Sequence, residues 1–449
     1  MKIIRILIIL LFFAVITIPL ASFNTTPNAI SHIDNRNLTK NPFQIEGDLT
    51  INIQNYINDR IGFRNEMITA YTILNDRLFG KMVHPSYSYG KDGYVFGNGI
   101  VGNSFNNYHL AFVEMVADIQ TYCEERNVPF LFVFNPAKPA VYQDKLANGI
   151  NYNRSWVDTF LSELAMRKVN YLDNTETMLE LRENNIDGFN QKYDANHWND
   201  LGAYYGTKRI LERLKVLCPN IYINELEDFE LSEELMTSLL ATKFPINEDV
   251  PQFKLKIKEE SLYNEFFPEL KIDPAYQSFG YYINESEKVK NTPRTLFFQG
   301  SYMNSYGYKF MINALREYIF VHDYQNVIDF SYYFNIFQPD CVVFEVAEYT
   351  FQNKYFDYGE MIKIDYHPAL STMPQNTITS VNISDQNIAI DKGNTLTTIT
   401  WYTNEKHQYV WMSLDGVYDM RPIDGGYQVT ISSDKNFEYD EMLIYFTIS

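Results

Sequence analysis

The chain has 449 residues, 46% hydrophobic and 16% aromatic, enough to bury more than one core, so two or three domains are expected. A net charge of −19 excludes an extended nucleic-acid or anionic-lipid surface, because phosphate neutralisation needs clustered Lys and Arg. Cys123, Cys218 and Cys341 lie far apart with no Cys-x-x-Cys, which points to buried free thiols and away from a zinc site or disulfide framework.

At the N-terminus, Lys2 and Arg5 precede an apolar run interrupted only by Thr17 and Pro19. At about 1.5 Å per residue, Ile3 to Leu20 reaches roughly 27 Å, close to the hydrocarbon thickness of a bilayer. Residues 1–22 therefore read as a signal anchor. The small residues of Leu20-Ala21-Ser22 leave open a cleaved signal peptide. Both readings export the remainder, as a membrane-anchored extracytoplasmic protein or a secreted one. Residues 23–43, rich in Asn, Thr and Pro, read as a linker. From Ile51 to Phe79 apolar residues recur at helical spacing with a break near Gly62, predicting two amphipathic helices.

Tyr87 to Phe96, with Gly90-Lys91-Asp92-Gly93 at its centre, predicts a hairpin. A helix from about Leu110 to Arg126 leads into Val128 to Phe134, the near-continuous apolar run of a parallel strand buried on both faces. It stops at Asn135-Pro136-Ala137-Lys138-Pro139, at a strand's C-terminal end, where open α/β sheets place their sites, so Lys138 is a candidate site residue. A helix from Ser155 to Lys168, a short strand from Val169 to Asp173 and a helix from Thr175 to Glu183 follow. The layout is parallel α/β.

Tyr193 to Tyr204 places Asp194 three residues before His197, on a loop entering a helix. This can present a general base together with the carboxylate that orients it. Residue types alone fit a helix cap as well, with Asn199 or Asp200 capping and His197 packed beneath Trp198. Residues 225–293 are acidic and of mixed pattern, and read as an insertion over the sheet.

The α/β pattern resumes at Arg294 to Tyr302, where an apolar strand ends in Gly300-Ser301 before a helix from Tyr308 to Tyr318. A serine on such a bend exposes its hydroxyl at the sheet edge beside backbone N–H groups, including that of Tyr302, as a nucleophile attacking a carbonyl requires. A second strand runs from Tyr318 to Val321. A third, from Gln338 to Tyr349, has its polar end, Glu348-Tyr349, at the same rim.

These blocks resemble the SGNH hydrolases. Gly300-Ser301 is similar to their nucleophile block, Asp194-x-x-His197-x-Asn199-x-x-Gly202 to their last block, and Pro339-Asp340-x-Val342 to the strand before their oxyanion asparagine. The rotated order, with Asp and His before Ser, together with His197-Trp198, the glycine hairpin and Glu345-x-x-Glu348, is similar to the alginate O-acetyltransferase type of SGNH-like protein found in bacterial exopolysaccharide export. Two positions depart from that pattern: the acid stands three residues before His197, with Ala195 in its usual place, and Tyr349 stands where the hydrolases carry Asn.

The resemblance implies a three-layer SGNH-like α/β domain over residues 44–370. It implies a Ser301–His197–Asp194 acyl-enzyme mechanism, with Tyr302, Tyr349, Glu348, Trp198 and Lys138 as oxyanion or substrate contacts. The implied substrate is a secreted or cell-surface polysaccharide, acetylated with acetyl supplied by a membrane-bound O-acyltransferase. A polysaccharide esterase would use the same residues, and a non-catalytic glycan-binding scaffold is the third reading. No cofactor or metal is expected. There is no Gly-rich phosphate loop, His322-Asp323 resembles a metal pair only in isolation, and His84, His109, His367 and His407 lack ligand-like neighbours.

After Pro368 short β-rich segments recur at 8–12-residue intervals, predicting a small β-sandwich accessory domain over residues 375–449. Trp401, Tyr402, Tyr409 and Trp411 read as inward-packed aromatics, with a sugar platform as the alternative.

Overall fold

A computed structural model describes residues 2–27, 30–31, 33, 36–98, 103–240, 242–258, 261–382, 387–433 and 442–448. It opens with α1 (Lys2–Ala21), the one helix among the described residues long and apolar enough to cross a membrane, with none of it buried. The stretch expected to be a loose linker is tied down. β1 (Ile30–Ser31) pairs with β2 (Arg36–Asn37). The buried Arg60 guanidinium donates to the carbonyls of Asn24, Thr26 and Thr39. One guanidinium can satisfy several irregular backbone acceptors, which composition does not reveal.

The two predicted helices are α2 (Leu49–Arg60), capped by the Asp48 carboxylate, and α3 (Arg64–Phe79), which ends at Gly80 in a left-handed conformation. The hairpin is β3 (Tyr87–Tyr89) and β4 (Val95–Gly97). Then come α4 (Asn107–Glu125), β5 (Phe130–Asn135), α5 (Lys138–Val141), α6 (Ser155–Met166), β6 (Tyr171–Asp173), α7 (Thr175–Glu183) and α8 (Asp200–Leu217). Residues 225–293 hold a long hairpin, β7 (Phe229–Ser238) and β8 (Pro245–Leu255), and two further strands, β9 (Leu262–Glu265) and β10 (Phe279–Asn284). They are followed by β11 (Thr295–Gln299), α9 (Tyr308–Ala314), β12 (Glu317–His322), α10 (Gln325–Ile328), α11 (Phe330–Phe337), β13 (Cys341–Ala347) and α12 (Tyr358–Met361).

The central sheet has the order β6-β5-β13-β11-β12-β10-β9. Its first five strands are parallel, as the apolar runs predict. The sheet as a whole is mixed, because β10 pairs antiparallel with β12 and β9 with β10. The inserted region thus extends the sheet at one edge as well as standing beside it, since antiparallel strands need no crossover helix. Phe130, Phe132 and Phe134 face one core with α4, α6 and α11, while Leu131 and Val133 face the other with α7, α8 and α9. This period-two alternation with helices on both sides makes three layers. Cys123 and Cys341 are buried free thiols and Cys218 is half-buried.

Beyond it lie β14 (Ile378–Asn382), β15 (Ile388–Lys392), β16 (Leu396–Tyr402), β17 (Val410–Ser413), β18 (Val417–Ile423), β19 (Gly426–Ser432) and β20 (Leu443–Thr447). They form one antiparallel sheet, β14-β20-β17-β18-β19-β16-β15, where two separate sheets were expected. The halves are continuous because β18 pairs with β17 through Met420 and with β19 from Arg421 onward, so the sheet bends there into a half-barrel around one core. Trp401 and Trp411 are buried, Trp411 Nε1 donates to the Pro368 carbonyl, and only Tyr402 of the four aromatics is exposed. No four-ring platform forms. The sheet is held by Asp419, buried and accepting from Tyr122 of α4 and from Arg126 just after it, and by Glu269, whose carboxylate accepts from the backbone N–H groups of Asn394, Thr395 and Leu396.

Gly202 in α8 sits where a Cβ would lie 2.1 Å from the Gly188 carbonyl oxygen. Glycine-to-alanine in a helix ordinarily stabilises by about 1 kcal/mol. Here Gly202→Ala is expected to destabilise by about 1–3 kcal/mol through overpacking, read as a lowered midpoint of denaturant unfolding. A raised midpoint contradicts this packing.

Candidate active site

The five parallel strands have their C-terminal ends at one rim. After β11 the chain turns at Gly300 into a helix that begins with Ser301 and Tyr302, widens to a π-helical turn over Met303–Gly307 and continues as α9. Ser301 therefore stands at a helix N-terminus, where first-turn N–H groups have no intrahelical partner. The loop before α8 brings the base to it. Asp194 adopts φ 48°, a left-handed conformation uncommon outside glycine. Asn199 caps α8, its side chain accepting from the Gly202 N–H at 2.9 Å. The capping role and the catalytic-type placement thus coexist in one loop.

His197 Nε2 lies 2.9 Å from Ser301 Oγ, and His197 Nδ1 lies 2.7 Å from Asp194 Oδ1. Tyr306 donates to Asp194 Oδ2 at 2.8 Å. Tyr349 OH lies 2.5 Å from Ser301 Oγ and 3.2 Å from His197 Nε2. With His197 neutral and protonated on Nδ1, one directional chain satisfies every group: Tyr349 donates to Ser301, Ser301 to His197, and His197 to Asp194. Burial alone would raise the Asp194 carboxyl, but the positive charge of His197 when its ring carries both protons, and the hydrogen bonds from His197 and Tyr306, outweigh it and hold it below the ordinary value.

The floor is acidic. Gly300 N–H donates to Glu345 Oε2 at 2.8 Å and Asn135 Nδ2 to Glu345 Oε1 at 2.6 Å, while Asn174 Nδ2 donates to Asn135 Oδ1 at 2.8 Å. This network joins β5, β13 and the turn after β11 beneath Ser301. Asp323, after β12, is fully buried close to Gly300, and neither of its carboxyl oxygens has a hydrogen-bond partner among the described residues. His322 Nδ1 approaches one of them at 3.1 Å but is not aligned to donate. Burial, and next the nearby Asp323, push the Glu345 carboxyl up to about 8; burial pushes Asp323 well above the carboxylate range and His322 down to about 4. Both acids are therefore neutral at pH 7, the response expected of buried carboxyls without a cation.

The structure brings Ser301, His197, Asp194, Tyr302 and Tyr349 together. Trp198 is fully buried, its Nε1–H donating to the Tyr302 carbonyl at 3.0 Å, and Tyr302 OH is 2.9 Å from the carbonyl oxygens of both Pro136 and Asn196. Both side chains brace the site from behind. Glu348 is buried, accepting from Arg154, Tyr152 and the Ala137 N–H. Lys138 is buried too, donating to the carbonyls of Val95 at 2.7 Å and Gln191 at 3.0 Å, with burial lowering its ammonium to about 7. Neither side chain is free to reach a substrate; they fasten the hairpin and the neighbouring loops. Tyr306 carried no sequence signal of a site, Asn135 only its place at a strand end, and Asp323 only its neighbour His322. Tyr306 is one of 35 tyrosines, and its reach to Asp194 depends on the π-helical turn. Among the described residues no group of three His, Cys, Asp or Glu could hold a metal.

The sheet order and the two flanking helix layers make an SGNH-like fold, with a serine–histidine–aspartate constellation at its rim. Residues 90–237 match the family described as the SGNH hydrolase-like domain of the acetyltransferase AlgX, bearing out the resemblance read in the sequence; the matched stretch contains Asp194 and His197 and ends before Ser301. Three solved structures are similar in outline. Bacillus cereus PatB1 shares 15% identity, covering 60% of this chain and 96% of that one at a TM-score of 0.46. The O-acetyltransferase domain of Pseudomonas putida AlgJ shares 12%, covering 62% and 98% at 0.44. Pseudomonas aeruginosa AlgX shares 12%, covering 81% and 94% at 0.39. No curated protein matches the chain.

Glu345 supplies a pH test. Its value of about 8 in the fold lies above the 4.5 of the unfolded chain, so the stability of the buried neutral acid is complete below pH 4.5 and is lost as pH rises towards 8. Glu345→Gln cannot ionise. The melting temperature of the wild type is expected to fall between pH 5 and 8 more steeply than that of the variant. Parallel profiles contradict the raised value.

Proposed function

We propose that the chain is an extracytoplasmic O-acetyltransferase that passes an acetyl group through Ser301 to a hydroxyl of a secreted or cell-surface polysaccharide. The observation that carries this reading is the continuous contact from Ser301 Oγ through the His197 ring to Asp194, at 2.9 and 2.7 Å. Ser301 Oγ attacks the acetyl carbonyl of the donor while His197 Nε2 takes its proton, and Asp194 stabilises the imidazolium. The C–O or C–S bond to the donor breaks, and His197 returns the proton to the leaving group. A sugar hydroxyl then gives its proton to His197 and attacks the acetyl-serine, restoring Ser301.

First-turn N–H groups at Ser301 and Tyr302, with the Tyr349 phenol, supply the oxyanion donors. Tyr349 then takes the part that asparagine plays in the hydrolases, and a phenol held 2.5 Å from Oγ is near enough to follow the developing charge. The family description supports acetyl as the group transferred. A membrane-bound O-acyltransferase supplies it, α1 anchors the domain outside the membrane, and residues 375–449 form an accessory domain.

Ser301→Ala is expected to lower turnover of a small activated acetate ester by about 10⁴-fold. Wild-type turnover in that variant contradicts the nucleophile. Tyr349→Phe is expected to lower kcat by about 10²-fold with little change in KM, the cost of removing one oxyanion donor. An unchanged kcat removes Tyr349 from that role. In the presence of an acceptor oligosaccharide, acetyl should appear on sugar; acetyl released only as acetate identifies an esterase.

A further inference from the structure

The helix α3 is amphipathic with the wrong side out. Phe63, Met67, Tyr71, Leu74 and Leu78 recur at the four- and three-residue spacing of one helix face, and each is between 45% and 63% exposed. The inward face carries the fully buried Thr72, which donates to the Val83 carbonyl, and Asp76, which accepts from Tyr89 at 2.8 Å. On α2, Leu49, Ile51 and Ile57 are exposed as well. A run of apolar side chains along four turns, left in water while threonine and aspartate pack inside, marks a surface with a missing partner.

We propose that the α2–α3 hairpin is a membrane foot, its outward face resting in the headgroup layer of an uncharged phospholipid bilayer. Three observations select this occupant. The elbow between the helices is bonded directly to the end of α1. Gly62 N–H donates to the Pro19 carbonyl at 2.9 Å, Asn24 N–H donates to the Arg60 carbonyl at 2.8 Å, and a Cβ on Gly62 would lie 2.4 Å from Ser22 Cβ. Phe63, the first residue of the apolar row, is next to Gly62 in the chain, so one end of the row sits at the mouth of the span. Finally, Leu49 to Phe79 balances Asp59, Glu66 and Asp76 against Arg60, Arg64 and Arg77, giving a neutral segment on a protein of net charge −19. An uncharged surface suits that balance, whereas the protein as a whole repels anionic lipid.

The inward side of α3 also adjoins the loop that carries Asp194. Residues Asn65, Glu66 and Thr69 of α3 line a cavity of about 610 Å³ together with Tyr193, the neighbour of Asp194, and Glu234 of β7. Ile73 packs on the small core that contains Ala195. A bilayer-bound α3 would hold the Asp194–His197 loop one helix diameter from the lipid surface, where an acyl group delivered at the membrane can reach it.

This inference rests on α1 being a retained membrane span, so its test separates the two. The full chain carrying Cys218→Ser and one of Phe12→Cys, Leu74→Cys or Leu78→Cys is labelled with an environment-sensitive fluorophore. It is then reconstituted in phosphatidylcholine vesicles containing nitroxide-labelled lipid. The expected result is a blue shift and about twofold quenching at 74 and 78 as well as at 12, as for an interfacial helix beside a span. Quenching at 12 with an aqueous, unquenched signal at 74 and 78 overturns the foot and leaves the span. A blue shift at 74 and 78 without quenching by lipid means that protein covers the face, and also overturns it. No quenching at 12 removes the span and the foot together.

Discussion

The contact between Ser301 Oγ and His197 Nε2 joins positions 104 residues apart, and the architecture around it serves to fix that distance. Ser301 sits on a helix that starts after β11, and His197 on a loop that starts α8. The two helices are cross-braced. Trp198 donates to the Tyr302 carbonyl from one side, Tyr302 OH meets the Asn196 carbonyl from the other, and Lys309 of α9 pairs with Asp200 at 2.7 Å. From below, Glu345 accepts the Gly300 N–H. A displacement of about 1 Å in either element would separate His197 from Ser301, and many buried polar groups converge on this small volume.

Those braces come at an electrostatic cost. Glu345 and Asp323 are two buried carboxyls without a counter-cation, and both are held neutral. A neutral acid at 345 can still accept from Gly300 and Asn135, so the floor positions the turn before Ser301 without placing a negative charge beneath it. By contrast, Asp194 keeps its charge because His197 and Tyr306 both donate to it. The acids near Ser301 thus divide into a charged partner of His197 and neutral neighbours of the Gly300 turn, set by their surroundings instead of residue type.

Much of this was legible before any coordinates. The apolar runs within Val128–Phe134, Arg294–Tyr302 and Gln338–Tyr349 read as strands of a parallel sheet, the first as one buried on both faces. Ser301 and Asp194/His197 stand where such strands and helices end. What escaped notice depended on long-range partners. β9 and β10 join the sheet antiparallel because their pairing with β12 is non-local. Lys138 and Glu348 look like site residues by position but are consumed by carbonyl, arginine and tyrosine partners distant in the chain. The apolar spacing of α3 was visible, but the direction of that face was not. Periodicity gives a stripe, and only packing says whether the stripe looks inward.

The most direct test is whether an acyl-enzyme forms on the expected atom. The full chain is mixed briefly with an activated acetate ester, quenched in acid, and its proteolytic peptides weighed. One acetyl group on the peptide containing Ser301, at that residue and lost in His197→Ala, is the predicted result. Acetyl found elsewhere with none on Ser301, while turnover proceeds, would contradict it.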